Sequence, residues 1–283
     1  MEDIEAVGLQ KFDFLGLKTL TVINNALLQI NDFRNSINLE PINLDDLDLE
    51  DKGVFELLQK GITTAVFQME SRGMREYLIK LKPNNFEDII AMIALYRPGP
   101  LEMKMVDTYI DRKNGTEKID FSKDKEVEKI LNSTYGVIVY QEQVMQLAQE
   151  FSGFTLGQAD ILRKAMGKKI PEVMESQKES FIEGAQNKNK VKRVAEDLWD
   201  QIETFAGYGF NKSHSAAYAL ISYQTAWLKS HYPSQFMASA LSSELDDTDK
   251  IKILIDDSHS LGLKINPPDI NCLLYTSDAA DDL

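Results

Sequence analysis

The chain has 283 residues, a single Cys and a net charge of −14, with 43% hydrophobic and 27% charged residues. That length buries a sizeable core and the composition is that of a soluble globular protein. A lone Cys excludes a disulfide framework and a cysteine zinc site, and no apolar run reaches the roughly 18 residues of a membrane span. The acidic start Met1-Glu2-Asp3-Ile4-Glu5 lacks a signal-peptide pattern, so a reducing cytoplasm is the expected compartment.

Lys11–Leu17 (KFDFLGL) reads as a strand. Alternation puts Lys11, Asp13 and Leu15 on one face and Phe12 and Phe14 on the other. A Lys beside an Asp suits a phosphate and a divalent cation; an exposed carboxylate on an edge strand fits the same pattern. Apolar spacing predicts a helix from Thr19 to Ile30, carried by Leu20, Ile23, Leu27 and Ile30, and a short one from Lys52 to Lys60. Thr63–Gln68 is a second strand candidate. Helices are predicted over Ser71–Leu81, Phe86–Leu95 and Leu101–Lys113, broken by Pro83 and Pro98-Gly99-Pro100. Asn114–Thr134 reads as a charged surface excursion and Tyr135–Val139 as a third short strand. Further helices are predicted at 141–151, 156–166, 171–185, 191–205, 213–231, 234–245 and 248–261. Thr155-Leu156-Gly157-Gln158 fits a capping box, and Pro171 suits the first position of a helix. The fold class is therefore mainly α with a few short strands.

Charge is uneven. Residues 161–195 hold 9 bases and 4 acids, whereas 1–60 hold 5 bases and 12 acids, and 196–283 hold 5 bases and 14 acids. A basic island in an acidic chain fits a bounded phosphate or backbone site, and fits equally a solvated Lys-rich helix face. Within it, Arg163, Lys164, Lys168 and Lys169 place four cations in seven residues, with Gly167 a candidate helix C-cap. They can clamp a triphosphate or simply complement a helix dipole.

Phe205–Tyr218 is the densest unusual segment. Gly207 and Gly209 permit close backbone approach, Tyr208 and Phe210 can stack on a base, and Asn211, Lys212, Ser213 and His214 open a helix whose free N–H groups attract anions. An aromatic turn packed between two helices explains the same residues. Leu95-Tyr96-Arg97-Pro98-Gly99-Pro100 is a rigid turn presenting Arg97, and Arg72 and Arg75 share a helical face at i, i+3. These three Arg are candidates for a nucleic-acid backbone, or for pairing with surface acids. Ser213 and His214 are adjacent and do not face each other, so nucleophilic catalysis finds no support. His214, His231 and His259 have no metal-ligand spacing.

Six runs occur together and in order: Lys11–Leu17, Thr63–Met74 (TTAVFQMESRGM), Phe86–Leu101 (FEDIIAMIALYRPGPL), Tyr135–Gln149 (YGVIVYQEQVMQLAQ), Thr155–Lys169 (TLGQADILRKAMGKK) and Phe205–Pro233 (FAGYGFNKSHSAAYALISYQTAWLKSHYP). On these the chain resembles the bacterial DNA polymerase III alpha subunits, the DnaE-type family C replicative polymerases, over nearly all of residues 7–271. The resemblance implies residues 1–18 as the edge of a nucleotidyltransferase-like α/β palm and 19–271 as a helical fingers domain. It implies Asp13 as the third of three catalytic aspartates and a metal ligand, in a complete site that holds two Mg²⁺ ions. Lys11, Arg163 and Lys164 then face nucleotide phosphates, with Lys168 a phosphate candidate from the cation cluster alone, and Tyr208, Asn211, Ser213 and His214 lie beside the nascent base pair. On the residues alone, Arg72, Arg75, Arg97 and Lys169 are the DNA-backbone candidates. Lys164 stands where relatives often carry a second Arg.

The implied partners are primer–template DNA, a dNTP, the remainder of the alpha subunit, and a sliding clamp and other holoenzyme subunits through regions this chain lacks. No membrane is implied. The family is several times longer and supplies two further palm aspartates that the chain lacks. The expectation is therefore that this polypeptide alone does not polymerise DNA. Two other classes stay in view: a non-catalytic helical module binding nucleotides or nucleic acid, and an acidic helical scaffold. Residues 272–283 depart from the family and resemble a translated sequencing adapter. They are expected to be non-native; without Asp278, Asp281 and Asp282 the net charge becomes −11.

Overall fold

Helix is the dominant structure in the computed structural model, which describes residues 7–9, 12, 16–121, 124–168, 171–205 and 207–267. In chain order the helices are α1 (Lys18–Ser36), α2 (Lys52–Gln59), α3 (Arg72–Leu81), α4 (Phe86–Leu95), α5 (Pro98–Glu102), α6 (Met105–Lys113), α7 (Lys125–Leu131), α8 (Gln141–Ser152), α9 (Leu156–Lys168), α10 (Pro171–Asn187), α11 (Lys192–Phe205), α12 (Lys212–His231), α13 (Pro233–Ser242) and α14 (Thr248–Ser260). The mainly α expectation holds. Among the described residues the β pairing is one isolated parallel bridge, Tyr140 with Phe210. No described helix is long and apolar enough to cross a membrane.

The chain forms two compact units: residues 1–44 with 231–283, and residues 45–230. In the first, α1 packs on α13 and α13 on α14. Val22, Ile23, Ala26 and Ile30 form the buried stripe of α1. Leu20, an expected member, is instead half exposed, because the stripe is centred one residue further round the helix. Gln29 Nε2 donates to Ser239 Oγ at 3.1 Å and Arg34 Nη1 to Tyr232 Oη at 3.0 Å, tying α1 to the chain around α13.

The second unit has two hydrophobic clusters. One gathers Leu58, Met69, Leu78, Met92 and Tyr223 from α2 to α4, the loop before α3, and α12. The other gathers Leu147, Phe151, Leu162, Phe181 and Trp199 from α8 to α11. Phe181 lies 5.9 Å from Phe151 and 5.4 Å from Trp199. The segment before α8 serves both: Val137 and Val139 belong to the first cluster and Ile138 to the second. This alternation is why Tyr135–Val139 reads as a strand. Instead Tyr135 and Gly136 form a turn, both left-handed at φ 52° and 75°, and the chain from Val137 acquires no ladder beyond the bridge at Tyr140.

Other differences have local causes. Thr63–Gln68 is a pair of turns, Val66 N–H bonding Thr63 O and Met69 N–H bonding Val66 O, with Ala65 and Gln68 in the left-handed region at φ 62° and 61°. The predicted helix over Leu101–Lys113 is split, because Lys104 is left-handed at φ 56° and separates α5 from α6. The charged stretch 114–134 contains α7, capped by Asp124 and anchored by buried Val127 and Leu131. Gly167 lies inside α9, which runs on to Lys168, so it is not the C-cap. Leu156 is exposed in the first turn of α9. The capping box is present: Thr155 N–H donates to Gln158 Oε1 at 2.8 Å and Gln158 N–H to Thr155 Oγ1 at 3.3 Å. Of the first strand candidate, Lys11, Asp13, Phe14 and Leu15 lie outside the described residues.

Candidate functional site

The turn from Gly207 to Asn211 links α11 to α12. Gly207 sits at φ 94°, where a side chain is strained. Three neighbours hold the turn. Arg97 donates through Nη2 to Tyr208 O and through Nε to Ala94 O at 2.6 Å. Its guanidinium lies 4.5 Å from the centre of the Phe210 ring, and burial lowers its pKa from the ordinary value. Next to it, a Cβ added at Gly99 would stand 2.3 Å from two Tyr208 ring carbons. The bare backbone of Gly99 is therefore the seat of that ring.

The third neighbour is the start of α8. Gln141 N–H donates to Phe210 O at 2.9 Å, and Gln141 Nε2 to Gly209 O at 3.1 Å. The Glu142 carboxylate accepts from Asn211 Nδ2 at 2.8 Å and from Lys212 N–H at 3.0 Å. Asn211 in turn caps α12, its Oδ1 accepting from His214 N–H at 2.8 Å. The α12 N-terminus was the expected anion site. Two of its N–H groups are already met, one by Glu142 and one by Asn211. Lys212 pairs with Glu87 at 2.9 Å and lies 5.3 Å from the centre of the Tyr140 ring. Ser213 and His214 are exposed.

The second constellation is on α9. Arg163 Nε and Nη2 both reach Asp160 Oδ1, at 2.9 and 2.8 Å, and Lys164 Nζ reaches Asp160 Oδ2 at 2.8 Å. Hydrogen bonds first from Lys164, then from Arg163, lower the Asp160 pKa below its ordinary value. One ionised carboxylate thus orients two cations, and the group keeps a net positive charge. All three side chains are at least a third exposed.

The remaining predicted residues are dispersed. Arg72 is exposed and paired with Glu76 at 3.0 Å. Arg75, on the same helix, turns inward and donates to Thr64 Oγ1 at 2.9 Å. Lys11, Asp13 and Lys169, and the side chain of Lys168, lie outside what is described. No group of three or more His, Cys, Asp or Glu among the described residues could hold a metal. The structure thus joins Arg97, Tyr208, Asn211 and His214 in one framework and Arg163 with Lys164 in another. Sequence reading missed Gln141, Glu142, Gly99 and Asp160. Only Asp160 carried a local signal, since it precedes Arg163 and Lys164 by three and four residues on one helix.

Residues 19–189 match the model of the bacterial DNA polymerase III alpha subunit finger domain. The chain is 52% identical over 284 residues to DNA polymerase III subunit alpha of Escherichia coli (strain K12), covering 99% of this chain and 24% of the relative. The corresponding protein of Pasteurella multocida (strain Pm70) is 55% identical over 273 residues, covering 95% and 24%. That of Vibrio cholerae serotype O1 is 51% identical over 284 residues, covering 99% and 24%. The chain therefore spans about a quarter of the length of these relatives. A match over more than half of its residues, at such identity, means that the chain belongs to the family of bacterial DNA polymerase III alpha subunit finger domains.

Proposed function

We propose that this chain is the fingers segment of a template-directed DNA polymerase. In this reading α9 holds the triphosphate of an incoming dNTP, and the turn 207–214 borders the nascent base pair. The observation that carries it is the pair of cations on α9 sharing Asp160. A planar fork and a point charge, held ready by one carboxylate, suit polyphosphate oxygens. Phosphoryl transfer draws most of its catalysis from positioning and charge stabilisation. The task of these side chains is to orient the phosphates for attack by a primer 3′-hydroxyl.

Primer–template DNA, the rest of an alpha subunit, a sliding clamp and other holoenzyme subunits are the proposed partners. The bacterial cytoplasm is the proposed compartment. Lys11 and Lys168 are proposed for the phosphates, and Arg72 and Lys169 for the DNA backbone. Arg97 and Arg75 are half-buried and hydrogen-bonded within the chain, so a DNA contact by either would be secondary to that role. The reading includes two Mg²⁺ ions with Asp13 as one ligand; Mg²⁺, when bound, neutralises charge on the transferring phosphate. The described residues supply no ligand cluster for it, and the other carboxylates are proposed to lie in the rest of the relatives' length. The proposal also divides the chain into a palm edge (1–18), fingers (19–271) and a non-native tail (272–283). Long-read sequencing of the gene tests the tail, and a verified stop after Leu283 refutes it.

Arg163→Ala should weaken dNTP binding by roughly ten- to a hundredfold, the worth of charge-assisted hydrogen bonds. Titration of the chain with dATP measures it, and unchanged affinity counts against the assignment. The purified chain with Mg²⁺, dNTPs and primer–template should give no extension; extension would overturn the fragment reading.

A further inference from the structure

His214 is exposed, yet one face of its ring is already taken by a stacked neighbour. Tyr218, one turn along α12, lies 4.4 Å from it with ring planes 28° apart. Phe210 meets it edge-on at 5.5 Å and 65°. Behind Tyr218 stands Phe67, at 5.3 Å. Four rings thus form a row, Phe210, His214, Tyr218 and Phe67, whose members are occupied with one another.

The far end of the row is firmly mounted. Phe67 belongs to the double turn before α3, where Ala65 and Gln68 hold left-handed conformations that side chains disfavour. Such a loop keeps its shape only if its surroundings over-determine it. Here Phe67 N–H donates to Thr225 Oγ1 at 3.1 Å, and Thr63 Oγ1 to Met69 O at 2.6 Å. Arg75 Nη2 donates to Thr64 Oγ1 at 2.9 Å, and Lys229, a buried side chain of α12, donates to Thr64 O at 2.8 Å. Both Thr225 and Lys229 lie on the helix that carries His214 and Tyr218. Loop and helix therefore hold the row between them.

We infer that Tyr218, backed by Phe67, is a positioning residue for His214. It fixes the imidazole plane, so that His214 meets its ligand through a ring nitrogen at the ring's edge and not through the ring face. This rests on the reading that the turn 207–214 faces a nucleotide. A hydrogen bond at the edge tolerates an amide in place of the imidazole and does not tolerate a bare ring; stacking has the opposite preference.

The test has two readouts on the 283-residue chain. Histidine-edited NMR of the unliganded chain should show upfield ring-current shifts on the His214 ring protons. These should be lost in Tyr218→Leu and kept in Tyr218→Phe. Unchanged His214 shifts in Tyr218→Leu would overturn the positioning role, whatever the chain binds. In dATP titration, His214→Phe should lose about tenfold in affinity and His214→Gln at most a few-fold. Tyr218→Leu should lose as much as His214→Ala, and the double variant no more than either, since two residues acting through one contact are not additive. Tyr218→Phe should restore binding. Additive losses, or full affinity in His214→Phe, would overturn the edge contact. If the wild-type chain binds no dATP, the nucleotide reading and the edge contact fall together, and the NMR arm alone decides the positioning role.

Discussion

Asp88→Ala should destabilise the unit of residues 45–230 by about 3–5 kcal/mol, the cost of breaking a buried ion pair from one side. Asp88 is fully buried near the start of α4. Its carboxylate accepts from Tyr109 Oη at 3.2 Å and from Asn84 N–H at 3.1 Å, and pairs with Lys113 Nζ at 3.2 Å. The Lys113 side chain is 8% exposed, so solvent screens the pair little. Removing the carboxylate leaves an ammonium and a phenol at the edge of the core without their acceptor. Burial, and next the Asp88 charge, hold the Tyr109 phenol well above its ordinary pKa, so it stays a donor at neutral pH. Lys113 also reaches Lys82 O and Asn84 Oδ1, both at 3.1 Å, which sets the loss nearer the lower figure. Urea unfolding of the variant against wild type measures it. A loss under about 1 kcal/mol would place the pair among weak, screened surface bridges.

Gly184→Ala should also destabilise, by about 1–3 kcal/mol, although Ala is the better helix former by about 1 kcal/mol. An added Cβ would lie 2.1 Å from Ser152 O, a backbone atom at the end of α8. That atom cannot swing aside, so α10 must move off α8 and open the contact that holds Phe181 against Phe151. The same change at Gly157 or Gly167 meets nothing within 4 Å, and there the propensity term should win, for a gain of about 0.5–1 kcal/mol. Thermal midpoints falling for Gly184→Ala and rising for the other two would show packing deciding the sign. A rise for all three would show that α8 and α10 are not in close contact at this point.

The helical architecture was legible because it is written locally. Asn85 before an acidic first turn opens α4, and Pro233 opens α13, whatever surrounds them. What escaped depends on residues far apart in sequence. Thr63–Gln68 has a strand-like composition, but its polar groups are met by Arg75, Thr225 and Lys229, and those partners select turns over a ladder. α7 is seven residues long with two buried side chains, too few to stand out in a charged stretch. For the site, the sequence marked Arg163, Tyr208 and His214 by their rarity and grouping. It gave no sign that Glu142 would meet Asn211 from 69 positions away, or that Arg97 would face inward to hold Tyr208. The anion-binding role read into the α12 N-terminus is correspondingly reduced, and the cations of α9 become the stronger phosphate candidates.

In the proposed function this chain binds a nucleotide through its phosphates. Its most direct test is titration of the 283-residue chain with dATP and with deoxyadenosine, repeated as salt is raised. Contact through the α9 cations predicts that dATP binds, that deoxyadenosine binds at least tenfold more weakly, and that dATP affinity falls steeply with salt because charge pairing is screened. Equal affinity for the two ligands, or a dATP affinity indifferent to salt, would contradict it.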